Sequence, residues 1–532
     1  VESSTPVSTR APIREGPYDL AVIGGGINGA AIARDAAWRG KSVILIEKDD
    51  FGAGTSSRSS KMVHGGIRYL EQLRFGLVRE SIRERHLLLR LAPHLVKAQS
   101  FVLPFYAGAR RGPRAMRAGL FLYDLLALGK RIGKSLSLDR PELLARVPGL
   151  LPEGLLGGGI YHDAVMDDAR LVLLNACCAG DGAPGELTAR NHVEVTAVRP
   201  GSPSTVVLRD RVTGGEPAIL AHHIVRALGP WTEPRHLVRS KGIHLVLRAL
   251  PMKDGLLLTH ARDGRVFFVI PWLGRTVVGT TETPFDGPLD GLRAEPEEVR
   301  YLLDGLRRIF PGLSLGPDDI LATFAGVRPL ARGRGLFGRT SPGGVSRAHR
   351  IVEDADGALS VFGGKYTTYR AVAQQVLDRL FPGSECRTRR VPLPGGEGGS
   401  WNEFRAQAGE EIARHGEADV ERLFHRYGTR LRDVLRLAAA DPSLAARLAP
   451  EHPELRAEVA HAIAHEHCVY PEDFLARRTT LRFTADGGRS AYGAVEAMIR
   501  DRLRPLPPDL ERARERYFAD LEWDDRLRAG AF

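Results

Sequence analysis

Residues 18–47, YDLAVIGGGINGAAIARDAAWRGKSVILIE, read as a buried strand, a glycine turn, a helix and a second strand. Gly24, Gly26 and Gly29 form G-x-G-x-x-G directly after the first strand. Such glycines permit a tight turn, close backbone approach to a pyrophosphate, and close helix packing, with the phosphates against unpaired amides at the helix N-terminus. The helical pattern stops at Gly40, and the second strand ends in Glu47, where a carboxylate would accept hydrogen bonds from an adenosine ribose. With 59 glycines in 532 residues, the spacing alone arises roughly 0.7 times by chance. The strand before it, the helix after it and the acid beyond make it specific, and predict an α/β dinucleotide-binding unit.

The following stretch, GTSSRSSKMVHGGIRYLE, is more polar than such a unit needs. Thr55, Ser56, Ser57, Ser59, Ser60, His64, Gly65 and Gly66 form a run able to donate along an extended ligand. In a NAD enzyme the second strand usually leads into another helix. FAD is longer than a mononucleotide and needs support from its pyrophosphate through the ribityl chain to the ring, so the run favours a flavin.

A chain of 532 residues is too long for one core, and two or three domains are expected. The net charge of +11 suits nucleic acid, an anionic membrane or an anionic small substrate. Four cysteines without disulfide or zinc spacing fit a reducing cytoplasm. Residues 1–16 are polar and read as a disordered tail with no signal peptide, and no apolar window reaches the ~20 residues of a membrane span. Arg110, Arg111, Arg114 and Arg117 precede an apolar run that ends in Lys130, Arg131 and Lys134. That segment reads either as a helix lying on an anionic bilayer or as one packed on its own domain with a solvated basic edge. Strand patterns dominate residues 155–370, VPLPGGEGGS at 391–400 reads as a linker, and helical periodicity follows. His461, His465, His467 and Cys468 lack a second matched pair, and no metal site is expected.

The segments IGGGINGAAIARDAAWRG and TSSRSSKMVHGGIRYLE closely resemble the FAD-dependent glycerol-3-phosphate dehydrogenases. The likeness continues in YHDAVMDDARLVLLNA, LGPWT, KGIHLVL, VFFVIPWLGRTVVGTTET, FAGVRPL, VFGGKYTTYR and HEHCVYPEDFLARRT. The resemblance implies an α/β architecture: a glutathione-reductase-like FAD-binding domain interleaved with a mixed-sheet substrate domain, plus an α-helical C-terminal domain. The corresponding boundaries are 17–100, 155–240 and 350–390 for the first, 101–154 and 241–349 for the second, and 401–532 for the third. It also implies oxidation of sn-glycerol 3-phosphate to dihydroxyacetone phosphate, with electrons passed to a membrane quinone by a protein held peripherally on the cytoplasmic membrane face, with a homodimer left open. Oxygen as acceptor, giving hydrogen peroxide, is the alternative for the same site residues. A flavin amine oxidase and a noncatalytic lipid- or RNA-binding flavoprotein are remoter readings. Aromatic residues at 7% argue against a nucleic-acid surface.

Matched residue by residue, the resemblance implies cofactor contacts at Gly24, Gly26, Gly29, Glu47, Thr55, Ser56, Ser57, Ser59, Lys61, His64, Gly65 and Gly66. It implies others at Gly364, Lys365, Thr367 and Thr368 in GGKYTT. A departure is RALGPWT, where Arg226 and Leu228 replace the usual residues. Oxidising a secondary alcohol requires a base for the hydroxyl proton and a hydride acceptor, while a phosphate substrate calls for cations, arginine above all. The matched motifs place Arg68, Tyr69, Arg328, Arg347 and Lys365 in substrate binding, and His244, Arg328 and Lys365 in catalysis. His244 is assigned proton abstraction, because nearby arginines would keep a buried imidazole neutral. A hydrogen-bonded strand histidine and a structural salt bridge are the competing readings of His244 and Arg328.

Overall fold

The computed structural model describes residues 13–14, 16–108, 112–177, 182–332 and 348–530. Most of the expected tail, together with Arg110, Arg111 and Arg347, lies outside them, as does the side chain of Arg68. Tyr18–Ile23 (β1) is an almost continuous apolar run because it is covered on both faces, with Leu20, Ala21 and Val22 fully buried. It pairs in parallel with Ser42–Ile46 (β2) on one side and Ala218–Arg226 on the other. Leu359–Gly363 and Glu186–Arg190 extend the parallel sheet at its two ends, and His349–Glu353 adds an antiparallel edge. The crossover helix Ile27–Trp38 (α1) is rich in alanine, so Ala30, Ala33 and Ala36 bury completely against the sheet and against helices Asp168–Ala176 and Tyr369–Leu380.

A second, ten-stranded mixed sheet is built on the long antiparallel pair Leu237–Arg248 and Ile320–Ala331. Strand Leu155–Met166, assigned by sequence to the nucleotide-binding part, pairs with Val96–Tyr106 in this second sheet. The alternation of a strand does not say which sheet it joins, and the pairing partner lies 60 to 70 positions upstream by the register Phe101↔Tyr161 and Val96↔Met166. The chain therefore crosses between the sheets several times, and the first binding domain and the second are interleaved.

Beyond residue 400 the fold is helical around its own core, which includes Phe404, Phe424, Val459, Phe474 and Tyr492. The stretch 391–400 is packed in place: Leu393 is buried and donates its amide to Leu91 O at 2.7 Å. Buried ion pairs fasten the helical domain to the flavin-type domain, among them Arg170–Glu466 at 2.7 Å with both side chains 1% exposed. Around this junction His94 and His461 are buried and His425 is half-buried. Burial holds His94 at a pKa of about 3 and His461 at about 4, and burial with the Lys97 charge holds His425 at about 4. In the unfolded chain each returns toward the usual 6.5. As pH falls from 6.5 towards 4 the unfolded state takes up protons that the folded state refuses, so stability present above 6.5 is lost. The expected loss is about 1.4 kcal/mol per pH unit for each histidine. Urea midpoints at pH 7.5, 6 and 5 measure it, and an unchanged midpoint across that range contradicts it.

Candidate active site

A cavity of about 430 Å³ runs from the glycine turn to the second sheet. At its first end Gly24 has φ +108°, and a Cβ there would stand 2.5 Å from Ala227 O. A Cβ on Gly29 would lie 1.8 Å from Gly24 O, so Gly29 seats α1 beneath the turn and does not line the cavity. Gly26 caps α1 without a side chain, and Ile27 N donates to Ser56 Oγ at 3.0 Å. Glu47 follows β2 in the wall, its carboxylate accepting from Gly25 N at 2.6 Å and Asp49 N at 2.9 Å. Burial pushes the Glu47 carboxyl up, and these two bonds oppose that shift.

The polar run divides between cavity wall and supporting layer. Thr55, Ser56, Ser59, Ser60 and His64 line the cavity. Thr55 Oγ1 also donates to Val327 O at 2.7 Å, tying the run to the strand that carries Arg328. Ser57, Lys61, Gly65 and Gly66 stand behind the wall. Lys61, expected at the cofactor, is 1% exposed and bonds Asp168 Oδ1 at 2.7 Å and Ser57 O at 2.7 Å. A buried ammonium requires an anion, and Asp168 supplies it; Ser59 Oγ donates to the other carboxylate oxygen at 2.6 Å. Gly65 N donates to Asp163 Oδ1, which also accepts from Arg85 and Tyr123. Of the late segment, Gly364 and Lys365 reach the cavity, while Thr367 lies deeper and accepts from His64 N at 3.1 Å. Thr368 is buried and outside the wall.

At the far end the two long strands place their even-numbered residues on one face. Ser240 stands opposite Arg328, Gly242 opposite Gly326 and His244 opposite Phe324. The paired glycines leave room for long neighbours: a Cβ on Gly242 would come within 2.5 Å of Arg328 Nη2. Arg328 is half-buried and donates to Thr280 Oγ1 at 2.8 Å. His244 is 3% exposed, stacks on Phe324 at 4.8 Å, and has Nε2 2.8 Å from Ser60 Oγ. Burial first, then the charges of Arg328 and Lys61, hold its pKa well below the ordinary value, so the imidazole is neutral. Lys365 Nζ lies 3.7 Å over the Tyr69 ring and donates to Ser81 Oγ at 3.0 Å.

The structure thus brings together Gly24, Gly26, Glu47, Tyr69, His244, Arg328 and Lys365 from segments more than 300 positions apart. Residues Arg58 and Thr280 of the wall, and the supporting Asp163 and Asp168, escaped the sequence reading. Asp163 and Asp168 lie in YHDAVMDDARL, whose likeness to the family was the one signal that pointed to them. Arg226 has a local explanation, since it pairs with Asp354 at 2.8 Å and Asp356 at 2.5 Å on the neighbouring loop.

A glycine turn under a helix N-terminus, a carboxylate just after the second strand and an elongated polar cradle ending at a neutral histidine and two cations define a dinucleotide-dependent oxidoreductase. Residues 19–370 match the model of the FAD dependent oxidoreductase family, and residues 386–504 match the C-terminal domain of alpha-glycerophosphate oxidase. The chain is 36% identical to the aerobic glycerol-3-phosphate dehydrogenase of Bacillus subtilis, over 92% of this chain and 91% of the relative. It is 32% identical to the glycerol-3-phosphate dehydrogenase of Synechocystis, over 96% and 97%. Among solved structures, the glycerol-3-phosphate dehydrogenase of Bacillus halodurans complexed with FAD aligns with a TM-score of 0.76 at 29% identity, covering 96% of this chain and 95% of that one. The chain belongs to the FAD-dependent glycerol-3-phosphate dehydrogenase family, and its cofactor is FAD. The residues present suit that cofactor: close backbone approach at the glycine turn, the Glu47 carboxylate in the wall, and hydroxyls along the cradle.

Proposed function

We propose that this protein oxidises sn-glycerol 3-phosphate to dihydroxyacetone phosphate. The observation that carries the reading is the buried, neutral His244 standing in one cavity with Arg328 and Lys365. Bound FAD supplies the acceptor for the hydride that leaves the carbinol carbon. Arg328 and Lys365 bind the phosphate and the developing alkoxide, with Tyr69 holding the ammonium beneath its ring and Ser81 fixing it from the side. His244 takes the hydroxyl proton at Nε2, where Ser60 already marks a hydrogen-bond position facing the cavity. Arg68 and Arg347 are proposed as further phosphate ligands on the strength of their motifs.

The test is the anaerobic flavin spectrum before and after glycerol 3-phosphate, with lactate and glycine as controls. Bleaching by the phosphate polyol alone is expected, and a flavin reduced by glycine instead would defeat the reading. The Arg328→Ala variant should keep its flavin and lose roughly 10²-fold in kcat/KM, the value of a lost charge-assisted contact to phosphate. An unchanged substrate response would remove Arg328 from the site.

We further propose that a membrane quinone is the acceptor and that the protein docks on the inner membrane face. Helix Pro113–Leu126 supports this: Leu120 and Tyr123 turn inward, while Phe121 is 72% exposed and Leu125 and Leu128 are exposed beside Arg114, Arg117 and Lys130. No helix among the described residues is long and apolar enough to cross a membrane. Salt-sensitive co-sedimentation with phosphatidylglycerol vesicles is expected, weakened by Phe121→Ser. Turnover with a soluble quinone analogue should exceed turnover with oxygen, and the reverse order would favour the oxidase reading.

A further inference from the structure

Behind the wall of the main cavity lies a second cavity of about 110 Å³, between the second sheet, the turn that carries Thr55–Ser57, and the C-terminal domain. Its charged lining residues are Arg58, Arg293, Arg477, Arg482, Glu472, Asp520 and Asp524. Three of the four guanidinium groups have carboxylate partners. Arg293 meets Asp520 at 2.5 Å, Arg482 meets Asp524 at 2.6 Å, and Arg477 meets Glu472 at 3.3 Å, along with Asp50 and Asp473.

Arg58 is different. No ion pair joins it to a carboxylate among the described residues, and its one hydrogen bond from the guanidinium runs from Nη1 to Ala325 O at 3.3 Å. Burial without a close counter-charge lowers its pKa, only partly opposed by the more distant Glu472. On the facing wall, Arg482 Nη1 is buried with no acceptor among the described residues. Arg58 and Arg482 are half-buried as residues, and a guanidinium drawn out of water without a close partner is costly, a cost that an anion removes. The space is far below the ~300 Å³ of ordinary organic ligand sites. It admits a compact ion and excludes a nucleotide.

We propose that this second cavity is a binding site for a small tetrahedral oxyanion of the phosphate type, held by Arg58 with Arg482 opposite. Arg58 follows Ser56 and Ser57 in the turn that supports the glycine-turn helix, and Thr55 of that turn bonds Val327 beside Arg328. Occupancy would therefore clamp the turn of the main site onto the C-terminal domain. The acids around the rim set the affinity: Glu472 lends Arg58 the largest opposing charge, so it competes with any bound anion.

Crystals of the holoenzyme soaked in tungstate, a phosphate-like ion with a strong anomalous signal, locate the site directly. A peak within hydrogen-bond distance of the Arg58 guanidinium is expected, and an empty second cavity overturns the proposal whatever occupies the main one. In solution, inorganic phosphate is titrated into holoenzyme at constant ionic strength while the unfolding midpoint is followed, since a ligand of the folded state stabilises it in proportion to its saturation. The Arg58→Met variant should lose one saturating phase that Arg328→Met retains. Because Arg58→Met could disturb the turn, its flavin absorbance is compared first, and Glu472→Gln serves as a second variant. That change should lower the half-saturating phosphate concentration severalfold. A peak in crystals with identical phosphate responses in the parent, Arg58→Met and Glu472→Gln means an adventitious ion only, and also overturns the proposal.

Discussion

Replacing His244 by Asn is expected to lower kcat by about 10²–10⁴-fold while the bound flavin keeps its spectrum, the range set by loss of a general base. The position favours this outcome over a merely structural one. The ring is buried on Phe324, lies against Gly279 where no side chain intervenes, and presents Nε2 to Ser60 at the cavity wall. Burial and two neighbouring cations hold the imidazole neutral well below pH 6.5, so the wild-type kcat/KM should stay level through that pH and fall only further into acid. Stopped-flow flavin reduction across pH 5–9 measures both effects. A variant that reduces its flavin within tenfold of the parent would reassign His244 to strand packing.

The second large effect concerns stability. Asp50, 1% exposed, receives Arg477 Nε at 2.5 Å, Arg478 Nη2 at 2.9 Å and Asn191 Nδ2 at 2.9 Å. Arg478 is fully buried, and although burial opposes both charges, Asp50 and Asp473 raise the pKa of Arg477 and Arg478 and hold them charged. The Asp50→Asn change leaves two buried guanidiniums facing a neutral amide, for which a loss of about 3–5 kcal/mol is expected. Because Asp50 sits three residues after Glu47 and its arginine partners belong to the helical domain, the loss should appear first as release of that domain. Limited proteolysis between residues 385 and 405, together with the first unfolding transition in urea, reads it. A midpoint equal to the parent would mean that the cluster is not what fastens the domain.

Parts of the site were legible because their chemistry is local. β1, the glycine turn, α1 and Glu47 occupy 30 consecutive positions, and Gly29 answers a clash only five residues away, under Gly24 O. His244, Arg328 and Lys365 were found through motifs, and the long antiparallel pair explains why two of them meet: alternate residues share a face. The run from Thr55 to Gly66 was legible as polar but not as layered. Nothing in TSSRSSKMVHGG states that Lys61 turns away to Asp168, which is 107 positions distant, while His64 turns inward. Arg58 was unreadable for the same reason: its neighbours at Glu472 and Arg482 are more than 400 positions away.

The amino-acid sequence by itself determined the class of fold, the flavin, and the identity of the residues with chemistry to offer, since strand apolarity, glycine spacing and residue type act over short range. Only the tertiary structure decided which of those residues face the ligand, which strand joins which sheet, and which charges are paired. Those outcomes depend on burial and on partners brought together across the chain, and the cost of an unpaired buried charge makes each one a property of the assembled molecule.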